Sequence, residues 1–290
     1  MDTTNELKSK RASIYRHLGQ VLSSIESTDE LLISLQELRN FGFHPVRVGF
    51  DGDELDLSPC FFKPLSASII DEHPLEDETP ESMASEFFEP PGQEGAPSGE
   101  LEQVAYYVWA HVERLSTASR HGLYRGLDIF ASFEPRTYIP GRPVSGRDLW
   151  LIGTHPSWET KRDLENPSYP HLELCVLHGI LATDEALAIT ELKAIARALR
   201  RRYQDPAFKL HNVVPLLMLS YLAPQHGRII QAHHDGKNIV VQYTPLMSFE
   251  VKSPGEIAEP ISLFLRYQLS RPVGSTSRHC RCNCSDSAIL

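Results

Sequence analysis

The sequence predicts an α/β protein, in which a mixed sheet is flanked by helices and a small N-terminal α+β unit precedes it. Three observations carry that expectation. "LELCVLHGIL" (172–181) and "VVPLLMLSY" (213–221) are unbroken apolar runs of strand length, as expected of strands covered on both faces. Between them, "DEALAITELKAIARALRRRY" (184–203) places Leu192, Ile195, Leu199 and Tyr203 at three- and four-residue spacing, which is helical periodicity. After them, "RIIQAHHDGKNIVVQYT" (228–244) sets two β-branched runs around Asp235-Gly236, a dipeptide suited to a two-residue hairpin turn. That turn pairs Ile230 with Val241, Ala232 with Ile239 and His234 with Lys237.

The remaining elements follow in chain order. Residues 5–26 repeat apolar positions at Leu7, Ile14, Leu18, Val21, Leu22 and Ile25 and predict a helix. Thr28 or Asp29 can cap a second helix through "ELLISLQELRNF", stopped by Gly42. "HPVRVGFDGDELDLSP" alternates about Asp51-Gly52 and predicts a hairpin with Val46 and Val48 opposite Leu57 and Leu55. Residues 1–65 therefore form an N-terminal unit of helices and hairpin. Residues 66–100 are rich in acids, proline and glycine and predict a disordered insertion, because they cannot bury enough apolar surface to offset their ordering entropy. A core domain spans 101–275, opening with a helix at "LEQVAYYVWAHVERLSTAS" and strands at "LDIFASFE" and "DLWLIGT". A disordered tail takes 276–290.

Composition excludes several classes. The longest apolar run, 213–223, is about half of the roughly 20 residues a membrane span needs. The charged N-terminus lacks a signal-peptide core, so a cytoplasmic protein is expected. Cys60 and Cys175 sit alone in apolar surroundings, as buried thiols do, and Cys280, Cys282 and Cys284 match neither zinc-ligand nor prenylation spacing. The formal charge of −10 arises in the stretch from Asp71 to Glu102, which holds eleven acidic residues and no Lys or Arg. The rest of the chain is close to neutral and can carry a local basic face. No nucleophile elbow, phosphate-binding glycine loop, zinc-protease or kinase signature occurs, and neither a metal nor a cofactor is called for.

Candidate chemistry lies in four places. Lys193, Arg197, Arg200, Arg201 and Arg202 crowd the end of the 184–203 helix. Part of this matches the macrodipole, since acids open the helix and cations close it, but three consecutive arginines exceed what a dipole needs and suit phosphate contacts. The order helix, three strands, helix, strand is shared with PD-(D/E)XK nucleases, whose metal is held by an Asp and an E-x-K element. Here Asp128 and Glu173 lie on candidate strands, yet "ELC" lacks the lysine and His178 is no obvious substitute, so a non-catalytic version of that core is the plainer reading. The segment "LIGTHPSWETKRDLENPSYPHLEL" carries His155, Trp158, Glu159 and Glu173 on a loop beyond a strand end, suited to substrate binding or to general acid–base work. Finally, His226, His233 and His234 look like a triad, but adjacent strand residues point to opposite faces. That leaves His226 and Arg228 as candidate substrate contacts and His234 as a solvated side chain beside the turn.

Taken together, "LWLIGTHPSWE", "VVPLLMLSYLAPQHGRIIQAHHDGKNIVVQYTPL" and "RYQLSRPVGSTSR" resemble segments of a family of ascomycete fungal proteins over roughly residues 100–278 and, more distantly, the fungal arginine-containing cyclodipeptide synthases. These are recurring pieces and not catalytic signatures. The resemblance implies an aminoacyltransferase of secondary metabolism that condenses arginyl-tRNA with a second aminoacyl-tRNA. It would use the basic helix end as a tRNA face and Glu159 or Glu173 against the arginine guanidinium. On that reading Glu159, Glu173 and His178 are the catalytic candidates. The alternative is a non-catalytic nucleic-acid or protein binding module.

Overall fold

The computed structural model describes residues 3–72, 129–130, 150–153, 159–160, 169–223, 225–250 and 259–277. In chain order these form α1 (Thr3–Glu26), β1 (Leu32–Ser34), β2 (Phe43–Arg47), β3 (Phe50–Asp51), β4 (Glu54–Leu55), β5 (Phe62–Lys63) and α2 (Ala67–Glu72). There follow β6 (Ile129–Phe130), β7 (Trp150–Gly153), β8 (Glu159–Thr160), β9 (Leu172–Leu181), β10 (Ala186–Ala188) and α3 (Ile189–Gln204). The last are β11 (Leu216–Ala223), β12 (His226–His234), β13 (Ile239–Tyr243), β14 (Met247–Ser248), α4 (Pro260–Gln268) and β15 (Arg271–Pro272).

The fold is α/β with a mixed sheet of strand order β2-β13-β12-β11-β9-β7, with β14 added beside the start of β12. β9 and β11 are parallel neighbours joined through α3, β13 and β2 are parallel, and the other main pairings are antiparallel. Alternation along the buried strands sends Leu216 and Met218 toward α1 and α3, where they meet Leu18, Ile25, Leu192, Ile195 and Leu199. Leu217, Leu219 and Tyr221 point the other way, into Phe61, Phe249, Phe264 and Tyr267. Each such fully buried side chain contributes about 1.5–3 kcal/mol, so both faces of the sheet stabilise the fold.

The N-terminal α+β unit is present and shares that core. Ile14, Leu18, Val21, Leu22 and Ile25 of α1 are buried on the helical face, and β2 is the outer strand of the sheet beside β13. On the other face, the Gln231 and Gln242 amides hold the chain at 58–61 through Pro59 O, Ser58 O and the Phe61 N–H, each at 2.8 Å. Arg266 of α4 grips Leu65 O and Asp53 O.

Several expectations are corrected. The second helix is instead β1 followed by a short 3-10 turn, Glu37–Phe41, because Leu32–Ser34 pair with Ala186–Ala188. Gly42 does end that turn, at φ 85°. The hairpin near Asp51 pairs Phe50 with Leu55 about Gly52-Asp53, since Val48 is drawn to Tyr243 O and Val46 to the β13 register. α3 starts at Ile189 and not at Asp184, because Ala186–Ala188 are taken into β10. The β12–β13 register is displaced by two residues, pairing Ile230 with Tyr243, Ala232 with Val241 and His234 with Ile239. The physical reason is local: the Asp235 carboxylate accepts from the Lys237 and Asn238 N–H groups, which closes a four-residue loop. Cys60 is exposed, whereas Cys175 is buried. Thr276 is still anchored, its carbonyl accepting from Asn212 and Val213, so the core runs past residue 275. Of the expected insertion only α2 and the residues leading into it are described; the rest of 66–100, the helix at 101–119 and the cysteines of the tail lie outside the described residues.

Candidate functional site

Among the described residues, a concentrated polar cluster lies at the carboxyl ends of β9 and β11, beneath the start of α3. Glu191 is the third residue of α3, and its Oε2 accepts the Ala188 N–H at 2.8 Å, satisfying a helix-terminal donor in the manner of a capping box. Its Oε1 accepts the Ser220 hydroxyl at 2.6 Å and lies 3.3 Å from Arg228 Nε. Arg228 directs its two terminal nitrogens to Ala186 O and Thr183 O, each at 3.2 Å. Both charged side chains are 0% exposed. His178 completes the cluster, its Nδ1 2.6 Å from Thr190 Oγ1, and burial holds it down to about 4, with Glu191 pulling upward and Arg228 downward. The imidazole is therefore neutral at physiological pH.

This arrangement has the residue types of a catalytic site but not its accessibility. A serine hydroxyl already donated to a carboxylate, and a carboxylate already matched by an arginine, form a buried network that locks α3 onto β11, β12 and the β9–β10 turn, with His178 Nε2 and Arg228 Nε lacking a hydrogen-bond partner among the described residues. His178 and Arg228 stand out in the sequence, whereas Glu191, Ser220 and Thr190 are missed there. One signal points to Ser220, a lone serine in the apolar run "LLMLSYLA"; Glu191 falls in a first turn only because α3 starts at Ile189.

The other candidates divide between places. Glu173 is buried on β9, where it alternates with Leu174 and Val176 of the helical face and so points to the opposite face from His178. The sheet thus separates two of the three catalytic candidates. Cys175 occupies the position where a nuclease lysine would stand and is buried. The backbone of Glu159 lies in β8, opposite Phe130. Asp128, His155 and Trp158 lie outside the described residues. His226 is half-buried at the start of β12, its Nδ1 without a hydrogen-bond partner among the described residues. Among those residues no group of three or more His, Cys, Asp or Glu is placed to hold a metal ion.

The histidines of β12 point to opposite faces, as alternation requires, but His234 is not solvated: it is 2% exposed. Its Nδ1 accepts the Gly236 N–H at 2.9 Å, so its proton sits on Nε2 and is donated to His17 Nδ1 at 2.9 Å. This clasps α1 to the β12–β13 loop, and burial first, then His17, lowers His234 to about 4. His233 faces the other side, edge-on to Phe61.

The cations at the end of α3 are not equivalent. Lys193 is 9% exposed. Arg197 pairs with Glu26 of α1 at 2.6 Å, and Arg202 lies over the Phe208 ring and 3.9 Å from Asp205. Arg201 is exposed. Arg200 lies 4.5 Å above the Tyr15 ring, and the Tyr15 hydroxyl is fixed by the Gln204 amide at 2.6 Å. No carboxylate is within ion-pair distance of Arg200 among the described residues, and its Nε has no hydrogen-bond partner there. No helix among the described residues is long and apolar enough to cross a membrane. Compared with family models, curated proteins and solved structures, the chain matches none.

Proposed function

We propose that this protein is a nucleic-acid-binding module on an α/β fold, whose contacts are made by the basic end of α3 and not by the buried cluster. The observation that supports it is Arg200, a guanidinium held over Tyr15 with no neutralising carboxylate among the described residues, next to the exposed Arg201. Dipole matching and ion pairing account for Arg197 and Arg202, whereas a preorganised, uncompensated arginine suits a phosphate. Retention of the protein on immobilised RNA or DNA tests this. The Arg200→Ala/Arg201→Ala variant should elute at lower salt, and absence of retention by the unaltered protein removes the reading.

A second reading is the aminoacyl-tRNA-dependent aminoacyltransferase that the sequence resemblance implies. It is favoured by the position of Ser220, Glu191, Arg228 and His178 at the carboxyl ends of parallel strands, where open α/β sheets gather their chemistry. Expression in a bacterial host followed by mass spectrometry of the medium should then reveal cyclic dipeptides containing arginine. Well-folded protein that yields no new dipeptide counts against it.

A further inference from the structure

Resting on the nucleic-acid reading, we propose that the binding surface is built from two helices, with Arg16 and Lys8 of α1 standing alongside Arg200 of α3, and that its ligand is a phosphodiester backbone. The two helices run in opposite directions: Glu26 meets Arg197, Gly19 and Tyr15 meet Arg200, and Arg11 reaches Tyr203 O at 2.7 Å. An ideal Cβ on Gly19 would stand 3.4 Å from Arg200 Nε, so the guanidinium lies within van der Waals distance of α1 at this residue. Arg16 is exposed, follows Tyr15 directly and precedes Gly19 by one helical turn, which places it beside the stretch of α1 that Arg200 covers. Lys8 is also exposed and precedes Tyr15 by two turns, so it continues the same stripe about 10 Å further along the helix.

One turn away along its own helix, none of these cations has an acidic neighbour, and Asp205, just past the end of α3, faces Arg202 and Arg11. The neighbours of Arg16 one turn away on α1 are Ala12, Ser13, Gly19 and Gln20, and those of Arg200 on α3 are Ala196, Arg197, Tyr203 and Gln204. None of these is acidic. Around Lys8 the same positions hold Thr4, Asn5, Arg11 and Ala12, again without an acid. The Glu26 carboxylate, which reaches across from α1 to α3, is taken by Arg197. Neither Lys8 nor Arg16 forms an ion pair among the described residues.

Helix electrostatics does not account for the two α1 cations either. The macrodipole rewards cations in the last turn, as in α3, but the last turn of α1 carries no basic residue, and Lys8 and Arg16 stand well before it. Docking α1 on α3 therefore gathers like charges that repel one another. A polyanion lying along both helices supplies the missing counter-charge. A bilayer fits less well, since the exposed large apolar residues among the described residues are Phe50, Leu181 and Leu210, none of them on α1 or α3.

The test is fluorescence anisotropy of a labelled oligouridine RNA and a mixed-sequence DNA duplex, titrated with full-length protein over a range of NaCl. The Lys8→Gln/Arg16→Gln variant should lower the slope of log affinity against log salt by roughly 1.5, at about 0.7–0.9 per phosphate contact. Arg16→Gln alone should lower it by about half as much, and it keeps the proposal testable where the double variant fails to fold by circular dichroism. The RNA and DNA arms together identify which backbone is preferred. If the unaltered protein binds, Arg200→Ala/Arg201→Ala weakens it, and the α1 variants keep the full slope, then α1 is not part of the surface and the nucleic-acid reading stands alone. If the unaltered protein binds neither nucleic acid, that reading itself falls. Binding to phosphatidylserine vesicles without binding to either oligonucleotide overturns both in favour of a membrane surface.

Discussion

Arg228 and Arg200 are two arginines in the same molecule with opposite fates. Arg228 is fully buried, its charge faces Glu191, and its terminal nitrogens are satisfied by backbone carbonyls. Arg200 is half-buried, stacked on Tyr15, and has no carboxylate in reach among the described residues. A buried ion pair adds little net stability, but breaking it is costly, because the surviving charge is left in a low-dielectric interior. A stacked surface guanidinium can be removed with little loss, and while present its charge remains available to a ligand. The difference separates residues that hold the fold from residues that face a partner.

The largest expected effect comes from breaking the interior pair on one side. Arg228→Met leaves the Glu191 carboxylate without its cation and should cost about 3–5 kcal/mol, seen as a fall in the urea midpoint. Adding Glu191→Gln to that variant, which removes the unpaired charge and keeps an amide oxygen to accept from Ala188 N–H or Ser220, should recover part of the loss. A double variant that is no better than the single one shows that the two residues do not act as a pair.

Acid sharpens the same contrast. His178 and His234 are held near 4 against an ordinary value of 6.5, so the native state refuses protons that the unfolded chain accepts. Their contribution to stability should be complete above about pH 6.5, fall as the pH drops toward 4, and be exhausted below it. There protonation of Asp235, held below its ordinary value despite burial by the Asn238 and Lys237 N–H groups, adds a further loss. His178→Gln should reduce that dependence, whereas Arg200→Ala should leave it unchanged. An unaltered midpoint from about pH 7 to about pH 4.5 would contradict the placement of these histidines. The smallest effect belongs to the surface pair Arg197–Glu26, where Glu26→Gln should cost no more than about 1 kcal/mol by the same urea measurement.

The contrast between the arginines is only partly legible in the sequence. Periodicity locates α1, α3 and β9, because each pattern is local and continuous. It does not find β10, since Ala186–Ala188 have no strand preference and become a strand only by pairing with Leu32–Ser34 far away in the chain. The two-residue displacement of the β12–β13 register preserves alternation, so the assignment of His233 and His234 to opposite faces survives while the solvation of His234 does not. The partners of the charged residues are the least legible. Nothing in "RALRRR" tells which arginine meets Glu26, which meets Phe208 and which meets Tyr15; that is decided by the docking of α1 on α3 and by the turn that follows α3. Likewise Glu173 and His178 read as neighbours in the sequence, but an odd separation along one strand sends them to opposite faces.

The most direct test measures stability and nucleic-acid affinity on one preparation of Arg200→Ala. The unfolding free energy should stay within about 1 kcal/mol of the unaltered protein, the range of an exposed cation–π contact, while affinity for the oligonucleotide falls and its salt slope drops by about 1. A variant that loses several kcal/mol of stability and binds as tightly as before would contradict the account, because Arg200 would then be an interior residue of the same kind as Arg228.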